Sequence, residues 1–67
     1  QQRLSHLAAA LAELPPRRRE AFVLHKFDGL SQVEVAERMG ISLSMVEKHI
    51  ASALLHCKRR LGQGGEG

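Results

Sequence analysis

The stretch MGISLSMVEKH, residues 39–49, constrains this chain more than any other. A short run with helical spacing of apolar residues precedes it and a longer one follows, and only Gly40, Ile41 and Ser42 separate them. A glycine directly after a helical run can take the left-handed angles that end a helix. A serine directly before one can accept from its free N–H groups. One apolar residue between glycine and serine leaves room only for a tight corner, with Ile41 directed into the core. Two helices joined in this way describe a helix-turn-helix.

The rest of the chain also reads as helix. Leu4, Leu7, Leu11 and Leu14 recur at spacings of three and four, the stripe of a surface helix over residues 2–13. LPP ends it, because a residue before proline avoids helical angles, and Pro16 suits the first turn of a second helix over 16–27. Gly29 is placed to stop that helix. SQVE at 31–34 matches a capping box and opens a third helix over 32–39. Val35, Ala36 and Met39 form its buried face, and Val33 points away from it. Ser42 caps a fourth helix over 43–61, although Ser44 with Glu47 also matches a capping box. Val46, Ile50, Ala53, Leu54, Cys57 and Leu61 form the apolar stripe of that helix. Residues 62–67, GQGGEG, offer no apolar anchor and are expected to be a flexible tail. No segment alternates with period two. The expected fold is all-α, a four-helix helix-turn-helix domain over 1–61.

Composition narrows the function classes. The 67 residues suit one small domain, and 43% hydrophobic with 25% charged residues is a globular balance. No apolar run approaches the roughly 20 residues that span a bilayer, so no membrane insertion is expected, and no secretory signal is visible. The chain begins at Gln1 rather than Met, as a segment of a longer protein would. Cys57 is its one cysteine and has no internal disulfide partner; it reads as a small core residue, and a cytoplasmic address fits. The two aromatics, Phe22 and Phe27, are too few for a base-stacking surface. His6, His25, His49 and His56 form no metal-ligand pattern with Cys57. No phosphate loop follows a strand, and no nucleophile–base set is visible. An enzyme, a metal site and a cofactor are therefore not expected.

A net charge of +3 is compatible with a polyanionic partner. In a helix-turn-helix the second helix sets its first turns into the DNA major groove while the first braces across the backbone. Here the small Ser42 and Ser44 allow close approach. Leu43, Glu47 and Lys48 lie with them off the Val46/Ile50 stripe. Lys48 can reach a guanine edge or a phosphate, Glu47 can accept from cytosine N4, and His49 can donate to a phosphate. Ser31 opens a helix whose free N–H groups suit an anion. Arg17, Arg18 and Arg19 near a helix N-terminus oppose its dipole; they are either a solvated basic surface or a phosphate-facing patch. The cations of HCKRR, 56–60, match the dipole at the end of the fourth helix.

Residues 14–61 resemble region 4, the C-terminal domain, of bacterial extracytoplasmic-function sigma factors. LPPRRREAF, DGLSQVEVAERMGIS and VEKHIASAL carry the resemblance in order and spacing, and VEKHIASALLHCKRRL is most similar to the iron-starvation, siderophore-responsive subgroup. The resemblance implies a transcription initiation role: reading of the promoter −35 element, docking on the β flap of core RNA polymerase, and control by a membrane-anchored anti-sigma regulator in iron and siderophore uptake signalling. It puts Ser42, Leu43, Ser44, Glu47, Lys48 and His49 on the groove-reading face and Ser31 and Arg17–Arg19 near phosphates. Exposed Val33, the open side of the first helix and the end of the fourth are places for a regulator. Glu47 departs from the many members that are basic there. Region 2, which melts the −10 element, is not among these residues.

Two other readings compete. A LuxR-type regulator domain shares the four-helix form and GIS…VEKH, but fits LPPRRREAF and HCKRRL less well. A helical protein-interaction module would keep the fold for partner binding alone, in keeping with the low net charge and with Glu47.

Overall fold

The computed structural model describes the backbone of residues 2–65 and the side chains of residues 6–62. It contains α1 (Gln2–Ala12), α2 (Pro16–Lys26), α3 (Gln32–Met39) and α4 (Leu43–Gly65). The all-α expectation holds.

Each break in the chain has a local cause. After α1, the N–H groups of Glu13 and Leu14 bond back to Ala10 and Leu11 at 3.2 and 3.1 Å, a tighter turn than the α-helix. Pro15 then sits in extended geometry and Pro16 opens α2. Pro15 has no side-chain acceptor to cap α2, and its carbonyl takes the Arg19 N–H at 3.0 Å. Gly29 adopts φ 77° after α2. His25 Nδ1 donates to the Leu30 carbonyl at 2.8 Å and closes that loop.

The capping box at α3 is complete. Ser31 Oγ accepts from the Glu34 N–H at 3.1 Å, and Glu34 Oε1 accepts from the Ser31 N–H at 2.8 Å. At the far end Gly40 takes φ 68° and ψ 36°. The Ile41 N–H reaches back to the Ala36 carbonyl at 3.1 Å, the wrapped-back bond of a Schellman end. Ile41 packs on the core beneath the corner. Ser42 Oγ then accepts from the Met45 N–H at 3.1 Å, so Ser42 is the cap of α4 and Ser44 lies inside the first turn.

The apolar residues gather in two clusters strung along α4. The first joins Ala21 and Leu24 of α2, Val35, Ala36 and Met39 of α3, and Val46 and Ile50 of α4. The second joins Ala10, Leu14, Phe22, Ala53 and Cys57, with Leu7 and Leu11 packed against it. Leu4 lies outside the described side chains. Val35 and Val46, one from each helix of the corner, are the largest side chains with no measurable exposure. Glu13 Oε1 accepts from His56 Nε2 at 2.9 Å and from Arg60 Nε at 3.0 Å, a surface link from the end of α1 to the second half of α4.

Two expectations need correcting. Leu54 and Leu61 are not in the core, with 42% and 38% of their surface exposed. At 100° per residue, Val46, Ile50, Ala53 and Cys57 share a narrow stripe, whereas Leu54 and Leu61 fall roughly 50–70° to one side. The expected tail from residue 62 is also revised, because α4 continues through Gly65. Gly62 does not adopt the left-handed angles that would end the helix. Residues 66–67 lie outside the described residues.

A Cβ added at Gly40 would meet no atom within 4 Å, so what a Cβ costs there is backbone strain. Gly40→Val is expected to lose about 1–2 kcal/mol of stability, and Gly40→Asn distinctly less, because asparagine tolerates left-handed angles. Urea unfolding checks this; equal midpoints for valine, asparagine and glycine would show that the corner needs no special backbone.

Candidate nucleic-acid interface

The corner fixes what α4 shows to solvent. Val46 and Ile50 anchor its first two turns in the core. A helix pinned along one stripe must present the others outward. Ser42, Leu43, Ser44, Glu47 and Lys48 are accordingly all exposed, and His49 is half-buried. These six residues lie together at the start of α4, in its cap and first two turns. Met45 is exposed among them, and the sequence reading passed over it. Its register, one residue before Val46 and so about 100° off the stripe, is the signal that finds it.

Ser31 is exposed at the start of α3, with its hydroxyl and N–H engaged in the capping box. Val33 stands out from the same helix with 54% of its surface exposed.

The three arginines of α2 part company. Arg17 Nη2 donates to the Met39 carbonyl at 3.4 Å, at the C-terminal end of α3. Arg19 Nη1 donates to the Ala12 and Leu14 carbonyls at 3.4 and 3.5 Å, at the C-terminal end of α1. Both guanidinium groups thus sit where a helix dipole is negative, which resolves the conflict their position in α2 poses. Arg18 turns instead towards α4, where it borders a hollow with Lys48 and His49. Burial, then Arg18, then Arg17 push the His49 imidazole below the ordinary histidine pKa. The free domain therefore holds His49 as a neutral ring over more of the pH range than an exposed histidine would.

The second half of α4 has a different character. His56 and Arg60 are engaged with Glu13. The Cys57 thiol is buried, and burial pushes its pKa up, so it behaves as a core side chain rather than as a reactive thiolate. No described helix is long and apolar enough to cross a membrane.

Chemically, the assembled face offers donors and acceptors in reach of base edges and cations in reach of phosphates. Two small hydroxyl residues at its tip let the backbone come near. These are requirements for groove reading by a helix-turn-helix.

Comparison with known proteins agrees with this geometry. The family described as sigma-70, region 4 matches residues 4–57. The chain is 43% identical over 54 residues to the ferric citrate uptake sigma factor FecI of Escherichia coli (strain K12), covering 81% of this chain and 31% of that relative. It is 38% identical over 55 residues to the RNA polymerase sigma factor SigF of Mycobacterium tuberculosis (strain CDC 1551 / Oshkosh), covering 82% of this chain and 21% of that relative. The chain thus spans less than a third of the length of either. No solved structure shows a significant match. The family match sets the LuxR-type alternative aside: this chain belongs to the sigma-70 region 4 family of transcription initiation factors.

Proposed function

We propose that this domain reads the promoter −35 element with the leading turns of α4, docks on the β flap of core RNA polymerase, and answers to a membrane-anchored anti-sigma regulator in bacterial iron and siderophore uptake. The bacterial cytoplasm is where it works. The observation that carries the promoter reading is the outward presentation of Ser42, Leu43, Ser44, Glu47 and Lys48 while Val46 and Ile50 hold the same turns in the core. The 43% identity to a ferric citrate uptake sigma factor supports the iron assignment. Val33, exposed and apolar on α3, is the point offered to the regulator.

In this reading Lys48 contacts a base edge or a phosphate, Glu47 discriminates by accepting from cytosine and repelling misplaced phosphates, and His49 meets the backbone at the groove edge. Ser31 and the N-terminus of α3 lie against the opposite phosphate wall. Arg18 is the arginine of the α2 run free to add a phosphate contact, while Arg17 and Arg19 serve chiefly the ends of α3 and α1.

Gel shift on a −35 duplex across a salt series tests the proposal. Affinity should fall steeply with salt, and Lys48→Ala should weaken binding by about 1–3 kcal/mol for a base contact, or lower the salt slope by about one for a phosphate contact. Binding unchanged in both respects removes Lys48 from the reading face.

Proton linkage supplies a second measurement. A phosphate beside His49 favours the imidazolium that burial, Arg18 and Arg17 disfavour in the free domain. The bound state then holds more protons than the free one, so DNA affinity should rise as pH falls, and the rise should end only below the lowered pKa of the free His49 imidazole. Fluorescence anisotropy at constant ionic strength should show this rise flattened in His49→Gln; identical pH profiles would separate His49 from the DNA.

Val33→Asp should leave thermal unfolding within about 0.5 kcal/mol of the parent, as for exposed positions generally, while weakening the complex with the regulator's cytoplasmic domain. Undiminished affinity by calorimetry would leave Val33 a solitary surface side chain.

A further inference from the structure

The promoter reading gives Met45 no part, although it stands among the residues of the leading turns of α4. The chain holds three sulfur atoms, in Met39, Met45 and Cys57, and the fold treats them differently. Met39 lies in the cluster beneath the corner with 9% of its surface exposed. Cys57 lies buried in the second cluster, and burial pushes the pKa of its thiol up, which keeps it in the less reactive protonated form. Met45 has 40% of its surface open to solvent. Oxidation of sulfur follows access and, for a thiol, thiolate character. The fold therefore ranks Met45 well ahead of the other two.

The place of Met45 makes that ranking consequential. Lys48 and His49 follow it by three and four positions and so share its side of the helix, and all three border one hollow. A thioether there is a weak acceptor and leaves the Lys48 ammonium free. A sulfoxide is polar, and its oxygen accepts a charge-assisted hydrogen bond from an ammonium group. We propose that Met45 is an oxidation site through which peroxide weakens promoter binding. A lone pair of the Met45 sulfur attacks one oxygen of hydrogen peroxide, the O–O bond breaks, an S–O bond forms, and after proton transfer the second oxygen leaves as water. The sulfur loses two electrons and the peroxide gains them. The sulfoxide oxygen then competes with DNA for Lys48 and sets an acceptor where phosphate oxygens must come. A methionine sulfoxide reductase restores the thioether: two thiols join as a disulfide and the oxygen leaves as water. The preference for Met45 rests on exposure alone, whereas its effect on DNA rests on the promoter reading.

The test treats the 67-residue chain with hydrogen peroxide and locates the added oxygen by peptide mapping and mass spectrometry. Met45 should be oxidised about fivefold or more faster than Met39, and excess −35 duplex should slow Met45 but not Met39. The oxidised chain should keep its far-ultraviolet circular dichroism and bind the duplex about fivefold or more weakly by fluorescence anisotropy. Reductase with dithiothreitol should return the affinity. In Met45→Leu, peroxide should leave the duplex affinity where it stood before treatment, which separates Met45 from Met39 and Cys57. Equal oxidation of Met39 and Met45, unaltered affinity once Met45 is oxidised, loss of helix on oxidation, or an undiminished peroxide effect in Met45→Leu would overturn the proposal. An untreated chain without salt-dependent affinity for the duplex would overturn the promoter reading, and the effect on DNA with it, while preferential oxidation of Met45 would still stand.

Discussion

The left-handed turn at Gly40 is the constraint on which the rest of the molecule depends. It ends α3, sends the Ile41 N–H back to the Ala36 carbonyl and drops Ile41 onto the core. Ser42 can then receive the Met45 N–H and start α4 in a fixed direction. Buried Val35 and Val46, one from each helix, hold the angle between α3 and α4 that this turn sets. The outward aspect of Ser44, Glu47 and Lys48 follows from that angle. A surface that reads a rigid groove gains from such fixity, because ordering it at the moment of binding would cost free energy that the contacts must then offset.

The distribution of cations shows how a small domain reconciles folding with binding. Arg17 and Arg19 lie on the carbonyl ends of neighbouring helices, and Arg60 is tied with His56 to Glu13. These groups stabilise helix ends and the seat of α1. Lys48 and Arg18 are left out of such arrangements among the described residues, and they border one hollow beside the first turns of α4. The net charge of +3 is thus divided between cations engaged at helix ends or with Glu13 and cations that border the start of α4.

What could be read from the sequence was what is local. The capping box at Ser31, the left-handed glycines 29 and 40, and the proline entry to α2 involve residues within a few positions of one another, and each has the expected geometry. The exposed tip of α4 was legible because a stripe of buried residues implies its complement. What escaped was tertiary. Glu13 and His56 are 43 positions apart, and no spacing rule joins them. The attachment of Arg17 to Met39 depends on how α2 crosses the end of α3. Spacings of three and four include Leu54 and Leu61 in the apolar stripe of α4, yet their register carries them to the exposed edge of it. The end of α4 was misplaced because a glycine permits a stop without requiring one.

The two apolar clusters share no buried residue, and α2 and α4 are the elements that contribute to both. One supports the corner and the other supports α1. Substitutions beneath α1 reach the leading turns of α4 only through α2 and α4, the two helices that contribute to both clusters. A change in the bed of the first helix is therefore felt at the corner through two parallel struts rather than one, which keeps the start of the last helix steady against small rearrangements at the opposite end.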